Sequence, residues 1–244
     1  MMNLARERLE SYIEERTKLD HDLSRARVTD PLSIRLKKRI VPHALRFRFR
    51  LALTAALAPR ERRRAREILS TSPSLKLHLG SHLVHKEGWV NVDLAGIPVD
   101  LSWNLAKPLP FPDQSLEAIF HEHLLEHMTL EVGLRMIDEC YRTLRPGGVL
   151  RVVVPDATDL IAAYTESRGG PYRRCPTAFL ALQEPFYRYG HRTMYDAETL
   201  GLLLEAAGFA DIDQRPYGDS RIRPCPDSEG RSAESLYVEG VRPE

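Results

Sequence analysis

From Leu75 onward the sequence alternates short apolar segments with amphipathic stretches, and this alternation constrains the fold more than any other feature. Strands that alternate with helices form a parallel sheet, because each crossover helix packs on a face of that sheet. The predicted strands are Leu75–Leu79, Trp89–Asp93, Val99–Leu101, Ala118–His121, Val149–Val154, Ile212–Pro216 and Leu236–Val241. The expected fold class is α/β, with a doubly wound (Rossmann-like), mostly parallel seven-stranded sheet.

Two helices of this domain have clear boundaries in the sequence. The first is predicted over Leu130–Leu144, where Arg145-Pro146-Gly147-Gly148 stops it, and the second over Ala197–Ala207, where Gly208 stops it. Glycine after the last helical residue and proline just beyond it are typical of helix C-termini.

The charge distribution separates an N-terminal extension from this domain. Residues 1–75 contain 18 Lys and Arg against 9 Asp and Glu, whereas the rest of the chain contains 17 against 25. Such an asymmetry indicates two parts with different roles. We therefore predict a basic helical extension over residues 1–74 and a domain over 75–244. Helical segments are expected over 4–28, 34–57 and 59–69, the last starting at Pro59.

Three interpretations of the basic extension stay open. Its arginines form a solvated or packing face, or they bind an anionic membrane surface, because Phe47, Phe49 and Leu51 alternate with arginine as in an interfacial helix. Binding to nucleic acid is the third interpretation, since the rest of the chain is acidic and has no recognised nucleic-acid module. The charged N-terminus and the lack of an apolar run of spanning length predict a cytoplasmic protein, at most peripheral at the membrane.

A candidate ligand site lies where the first two strands end. Gly80, Ser81 and His82 follow the first strand, and Asp93 ends the second. In doubly wound sheets, ligands bind outside the carboxyl ends of the strands, where a glycine lets the main chain approach the ligand. An acidic side chain at the second strand end can accept hydrogen bonds from both ribose hydroxyls of a nucleoside cofactor.

Further motifs follow in a fixed order. They are LHLGSH at 77–82, GWVNVD at 88–93, PLPF at 108–111, HEHLLEHM at 121–128 and LRPGGVLRVVVPD at 144–156. In this order the motifs resemble those of the class I S-adenosylmethionine-dependent methyltransferases. The resemblance covers roughly residues 75–164 and implies an enzyme that uses S-adenosylmethionine as its cofactor.

The resemblance also implies a cofactor-binding set spread over several strand ends. Its members are Gly80, Ser81, His82, Asp93, Asn104, Leu105, His121 and Glu122. The turn at Gly80 would approach the methionine moiety and Asp93 would hold the ribose. Asn104 and Leu105 would flank the adenine, and the segment from His121 would lie near the sulfonium methyl.

Three positions depart from the family's pattern. His82 stands where the family usually has a second glycine, and Asn104 and Glu117 each replace a common aspartate. A side chain at position 82 either contacts the cofactor or prevents the cofactor from binding at this turn. The rival hypothesis is therefore a non-catalytic binding protein on a methyltransferase fold, since a fold does not guarantee a function.

The segment His123-x-x-Glu126-His127 also matches the inverted zinc-protease motif, in which two histidines on one helical face bind Zn²⁺. A zinc hydrolase is the minor alternative, because short motifs match often by chance. A structural role for Glu126 and His127, as a pair that anchors a helix start, competes with it.

Three residues are candidates for a general base. The first is His123, which the resemblance places near the methyl group, followed by His191 and by Asp156 at the end of the Val152–Val154 strand. For His191, a role as a polar anchor of the loop before the Ala197 helix stays open. Histidine suits proton abstraction from a hydroxyl near neutral pH. The expected acceptor is a small molecule, and the family's frequent association with glycan pathways suggests O-methylation of a saccharide or related metabolite.

Overall fold

The computed structural model describes residues 43–72, 74–166 and 175–244. The helix predicted over residues 4–28 and the first part of the segment 34–57 lie outside the described residues. Contacts between residues divide the chain into two units. The sheet unit consists of Arg50–Ala157 and Arg192–Glu244, and the second unit consists of Thr158–His191 with the chain up to Phe49.

Helix α1 runs without interruption over His43–Thr71 and contains Pro59. The expectation of a new helix beginning at Pro59 is therefore wrong. Proline removes one N–H donor and crowds the preceding turn, but the leucine- and alanine-rich residues before it favour a helix. Buried Thr54, Glu61 and Ala65 belong to the sheet unit, so the contact boundary at Arg50 differs from the predicted domain boundary at residue 74.

Seven strands form the sheet, which confirms the predicted fold class. They are β1 (Lys76–Leu79), β2 (Val90–Asp93), β3 (Leu101–Ser102), β4 (Leu116–Glu122), β5 (Leu144–Pro155), β6 (Ala210–Gln214) and β7 (Ser235–Val241). Their order is β3-β2-β1-β4-β5-β7-β6. The pairs from β3 to β5 are parallel, whereas β7 runs antiparallel to both of its neighbours. The sheet is therefore mostly parallel, and the start of β7 lies at the edge where the other strands end.

Helices α2 (Leu130–Thr143) and α5 (Ala197–Ala207) occupy the positions predicted for them to within one residue. Each begins with a side-chain cap, from Thr129 and Asp196 respectively, and Gly208 ends α5 at a φ of 100°. Such caps satisfy backbone groups that a helix end leaves free. Helices α3 (Ala157–Thr165) and α4 (Ala178–Arg188) lie between β5 and α5.

The core of the sheet unit consists of apolar side chains from both layers. Fully buried members on the strands and helices are Leu77, Leu79, Ile119, Leu150, Val152, Ile137, Cys140, Leu200 and Leu204. Burial of this apolar surface is the main favourable term that holds the helices on the sheet. Within the described ranges, no helix is both long and apolar enough to cross a bilayer.

Candidate active site at the carboxyl edge of the sheet

The functional candidates of the sheet unit lie along the edge where its parallel strands end. Gly80 follows β1, Asp93 ends β2, His123 follows β4 and Asp156 follows β5. Strand β7 runs antiparallel to β5 and therefore begins at this edge, where its first residue, Ser235, pairs with Pro155 at the end of β5. The sequence therefore predicted correctly that these strand ends share one edge.

The turn after β1 requires glycine at position 80. Gly80 has a φ of 67°, and a Cβ built there would lie 2.8 Å from Leu124 Cδ1. The N–H groups of Gly80 and Ser81 both donate to the Val92 carbonyl, at 2.8 and 3.2 Å. The positive φ would strain any other residue, and the Leu124 side chain occupies the space that a Cβ would take, so main-chain groups form the cradle at this turn.

Ser81 supplies a polar group in this cradle. Its side chain is buried, and its hydroxyl has no hydrogen-bond partner among the described residues. Leaving a buried hydroxyl unpaired costs about 1–3 kcal/mol, which a ligand carboxylate or amine would recover. The residues of this turn therefore fit the methionine end of S-adenosylmethionine.

His82 keeps the turn in the conformation that a glycine would take. Its φ is 46°, in the left-handed region, and its side chain is exposed. The His82 N–H donates to Asp93 Oδ2 at 3.0 Å. Histidine enters this region more often than most residues do, so the backbone path of the turn is kept without a glycine. The bond from the His82 N–H then connects the β1 turn to the end of β2.

Asp93 is held by several donors at the end of β2. Its Oδ1 accepts from Arg50 Nη2 at 3.1 Å and from the Leu94 N–H. Because Oδ2 accepts from His82 N–H alone among these contacts, Oδ2 is the oxygen with room for a ribose hydroxyl.

The segment expected to flank the adenine follows β3. Asn104 Oδ1 accepts from the Ala106 N–H at 3.0 Å and stabilises a local turn, and Leu105 is buried. The main chain ties this segment to β2, since the Trp103 N–H donates to the Asp93 carbonyl at 2.8 Å. The predicted ribose and adenine residues thus lie on directly connected segments.

His121 differs from the other predicted cofactor residues because its side chain lies in the interior. It is fully buried, and burial lowers the pKa of His121 to about 3. His78 on β1 is also buried, and burial lowers its pKa to about 4. Both imidazoles are therefore neutral at pH 7. Glu122 is half-buried, and its Oε1 accepts from the Ser228 N–H at 3.2 Å. The structure does not bring His121 to the accessible edge.

His123 lies in a chain of three polar side chains. Its Nε2 is 2.8 Å from Ser235 Oγ, and its Nδ1 is 3.4 Å from Glu126 Oε1. His123 has a φ of 51°, and Glu126 is 1% exposed. Burial raises the pKa of Glu126 to about 8. A strained backbone residue in contact with a carboxyl of raised pKa is typical of functional sites.

The same geometry contradicts the zinc-protease interpretation. That motif requires both histidines on one face of one helix. Here Leu125–His127 forms a single 3-10 turn, and His123 precedes it in a left-handed conformation. His123 and His127 therefore do not share a helical face.

The two other candidate bases have main-chain hydrogen bonds of their own. Asp156 follows β5, where its N–H donates to the Glu234 carbonyl at 3.1 Å. His191 belongs to the second unit, where its N–H donates to the Pro185 carbonyl at 3.1 Å and its ring lies 5.8 Å from that of Tyr189. Their roles stay predictions.

An open cleft of about 490 Å³ lies in the sheet unit at the β6 and β7 end of the edge. Its lining combines two tyrosines with polar side chains: Gln214, Arg215, Pro216, Tyr217, Ser232, Ser235 and Tyr237. Arg215 is neutralised by Asp219, Asp213 and Glu239, at 3.1, 3.6 and 3.3 Å. The described lining is therefore polar and aromatic without a surplus cation, and Ser235 connects it to His123.

A buried ion cluster fixes one wall of this cleft. Arg151 is fully buried on β5 and makes two 2.6 Å hydrogen bonds to Asp227 and one of 3.0 Å to Glu239. It also donates to the carbonyls of Asp219 and Pro216. These bonds hold the 216–227 loop against the sheet.

Sequence reasoning missed Ser235, Arg50 and Arg151 as contributors to this edge. Ser235 comes 112 residues after His123, and only the antiparallel pairing of β7 brings the two together. Arg50 was counted among the basic residues of the extension without a partner in the domain. An arginine within an apolar strand was the available signal for Arg151, since buried charges require partners.

Residues 82–152 match a family model described as a methyltransferase domain. A curated protein of Mycolicibacterium smegmatis, named a probable S-adenosylmethionine-dependent methyltransferase, is 30% identical over 115 residues. That alignment covers 47% of this chain and 42% of the relative, so the chain spans less than half of the relative's length.

Solved structures are similar at lower identity. A SAM-dependent methyltransferase from Archaeoglobus fulgidus has a TM-score of 0.46 and 16% identity, over 79% of this chain and 94% of that one. A second, from Thermotoga maritima and described as a possible histamine N-methyltransferase, has a TM-score of 0.45 and 18% identity, over 81% and 96%.

Proposed function

We propose that the chain is a class I S-adenosylmethionine-dependent methyltransferase, as its match to a methyltransferase domain over residues 82–152 supports, and that it methylates a small molecule, a hydroxyl of a saccharide or related metabolite. The observation that carries the proposal is the glycine turn after β1, where the Ser81 hydroxyl is buried without a partner among the described residues and the His82 N–H donates to the Asp93 carboxylate. When bound, S-adenosylmethionine supplies an electrophilic methyl group on its sulfonium sulfur.

The residues of the β1 and β2 ends would hold the cofactor. Gly80 admits the main chain to the methionine end, and Ser81 donates a hydrogen bond there. Asp93 Oδ2 accepts from a ribose hydroxyl, while Asn104 and Leu105 border the adenine. Most of these groups are main-chain or buried, so binding requires little reorganisation, which favours affinity.

His123 is the proposed general base. In the tautomer with a proton on Nδ1, its Nε2 accepts from Ser235 Oγ. An acceptor hydroxyl bound beside Ser235 passes its proton to Oγ as the Ser235 proton moves to His123 Nε2. Glu126, on the opposite side of the ring, lies 3.4 Å from Nδ1 and orients the imidazole.

The cleft next to Ser235 suits a neutral, polyhydroxylated acceptor. Tyr217 offers a ring face and is 40% exposed, while the serines and Gln214 offer hydrogen bonds. Because Arg215 is already neutralised by carboxylates, the cleft does not select for an anionic group. Aromatic faces with a few placed polar groups are typical of small-molecule sites.

The test begins with calorimetric titration of S-adenosylhomocysteine. Asp93→Ala is expected to weaken binding by about 1.5–3 kcal/mol, the range for hydrogen bonds to charged groups. Absence of binding to the unaltered protein would support the rival hypothesis of a non-catalytic protein. Methyl transfer from labelled S-adenosylmethionine is then measured with neutral sugars, uronic acids, phenols and amines.

His123→Gln isolates the proposed base. The rate of methyl transfer should fall by about 10²–10⁴-fold, the usual contribution of general base catalysis, while the affinity for S-adenosylhomocysteine stays the same. His85→Gln is the matched control, because His85 is exposed. Equal rates for the two variants would remove His123 from this role.

We also propose that the start of helix α1 contacts an anionic membrane surface. Phe47 and Phe49 are 47% and 67% exposed, and the exposed Arg48 lies between them. Such a mixture of aromatic and basic side chains is typical of interfacial helices. Sedimentation with phosphatidylglycerol vesicles, but not phosphatidylcholine vesicles, is expected, and it should be lost on replacing both phenylalanines with serine. Equal binding to both vesicle types would contradict this proposal.

A further inference from the structure

Arg50, on helix α1, connects the N-terminal helix to the end of β2. Its Nε donates to the Ala95 carbonyl at 2.9 Å, and its Nη2 donates to the Leu94 carbonyl at 3.0 Å and to Asp93 Oδ1 at 3.1 Å. The Arg50 and Asp93 side chains are 26% and 17% exposed. One guanidinium thus fixes both the carboxylate and the loop that follows it.

Two more residues of the same helix hold the neighbouring main chain. Thr54 Oγ1 accepts from the Ala95 N–H at 2.9 Å, and Glu61 Oε2 accepts from the Ser102 N–H at 2.9 Å. Both side chains are buried. The helix therefore anchors the loop after β2 and the last residue of β3, next to the segments where the ribose and the adenine are expected.

The contacts around Asp93 show what the arginine does to its carboxylate. Arg50 and the Leu94 N–H both bind Oδ1, whereas His82 N–H binds Oδ2. A carboxylate oxygen accepts about two hydrogen bonds. With Oδ1 filled, the carboxylate cannot rotate without losing a charge-assisted bond, and Oδ2 keeps one acceptor position.

We propose that Arg50 is a positioning residue for S-adenosylmethionine. It holds the Asp93 carboxylate with Oδ2 ready for a ribose hydroxyl, and it fixes the 94–95 main chain. The inference rests on the proposed function, because it assigns Asp93 to the cofactor. It makes cofactor affinity depend on a residue of the basic extension, which the charge pattern alone assigns to a separate part.

A double-mutant cycle read by calorimetry with S-adenosylhomocysteine tests this role. Arg50→Ala should weaken binding about tenfold, the effect of one hydrogen bond to a charged group. In the Asp93→Ala background, the same substitution should change the affinity by less than about threefold, because the carboxylate that it orients is gone. A purely structural role would give the same factor in both backgrounds.

Matched variants complete the experiment. Arg64→Ala, an exposed arginine on the same helix, should leave affinity unchanged. Arg50→Lys keeps the charge but loses the forked geometry, so its affinity should fall between those of the unaltered protein and Arg50→Ala. This variant replaces Arg50→Ala in the cycle if the alanine variant does not fold.

Three results would overturn the inference: unchanged affinity in Arg50→Ala, tighter binding in Arg50→Ala, or a full tenfold loss in the Asp93→Ala background. Failure of the unaltered protein to bind S-adenosylhomocysteine would instead refute the proposed function, and the inference with it. Binding by the unaltered protein with an additive cycle refutes the inference alone.

Discussion

The two ends of the carboxyl edge differ in the groups that form them, main chain at one end and side chains at the other. At the β1 and β2 end, main-chain groups dominate: a left-handed glycine turn, N–H groups that donate to Val92 and Asp93, and a helix that covers the outgoing loops. At the β4, β7 and β6 end, side chains dominate, with an open cleft, the His123 chain and the buried Arg151 cluster. A main-chain site suits one invariant ligand, whereas a side-chain site can diverge with the acceptor.

The largest effect is expected at the side-chain end. Arg151→Ala leaves Asp227 and Glu239 without their central cation, and breaking a buried pair costs about 3–5 kcal/mol. Urea denaturation should show this loss of unfolding free energy. Arg135→Ala, which breaks an exposed pair with Glu131, should cost about 0–1 kcal/mol. Similar losses in the two variants would mean that the cluster does not stabilise this end.

Glu126 should make stability depend on pH. Its carboxyl titrates near 4.5 when unfolded and near 8 when folded, so the folded state binds the additional proton between these values. Stability contributed by this group is therefore lost as pH rises through that window. Relative to Glu126→Gln, the unaltered protein should lose about 1 kcal/mol per pH unit between pH 5 and 8.

The control for that measurement is Glu131→Gln, at an exposed position of α2. Its denaturation midpoints should follow those of the unaltered protein at every pH. Parallel pH curves for Glu126→Gln and the unaltered protein would show that the Glu126 carboxyl ionises normally.

At the main-chain end, Gly80→Ala should lower stability by about 1–3 kcal/mol, the cost of a strained backbone conformation, and it should also weaken S-adenosylhomocysteine binding, because the turn must shift to relieve that strain. Gly147→Ala is a matched control, because Gly147 has a φ of 73° but no atom within 4 Å of its added Cβ. It should lose stability without losing affinity. Equal affinities for both variants would remove the β1 turn from the binding site.

The smallest effect is expected for His82→Gly. Because His82 already has a left-handed backbone and an exposed side chain, glycine should change the affinity by no more than about tenfold, or 1.4 kcal/mol. Calorimetry with S-adenosylhomocysteine measures the change. Binding that appears only in the glycine variant would mean that the histidine blocks the cofactor.

The strand pattern predicted the sheet and its functional edge, because apolar segments of three to six residues are local signals. The turn at Gly80 and the acidic residue at the end of β2 were predicted from equally local sequence signals. Contacts between distant segments could not be predicted. The sequence of α1 suggests a basic face exposed to solvent, whereas Arg50, Thr54 and Glu61 on this helix form hydrogen bonds to the ends of β2 and β3 and the loop after β2. The charge break near residue 74 therefore does not coincide with the contact boundary at Arg50.

Arg151 and Ser235 illustrate the same limit at the other end. The antiparallel insertion of β7 between β5 and β6 brings Ser235 to His123 and Glu239 to Arg151. The order of elements along the chain does not reveal which side chains that insertion brings together.

Hydrogen exchange with and without S-adenosylhomocysteine tests the division of the edge most directly. Slower exchange is expected of the amides at residues 79–83 and 93–106, where the main chain forms the cofactor site, and unchanged exchange at 214–217 and 232–237. Protection centred on 214–217 and 232–237, with none at the β1 turn, would place the cofactor at the wrong end of the sheet and contradict the account.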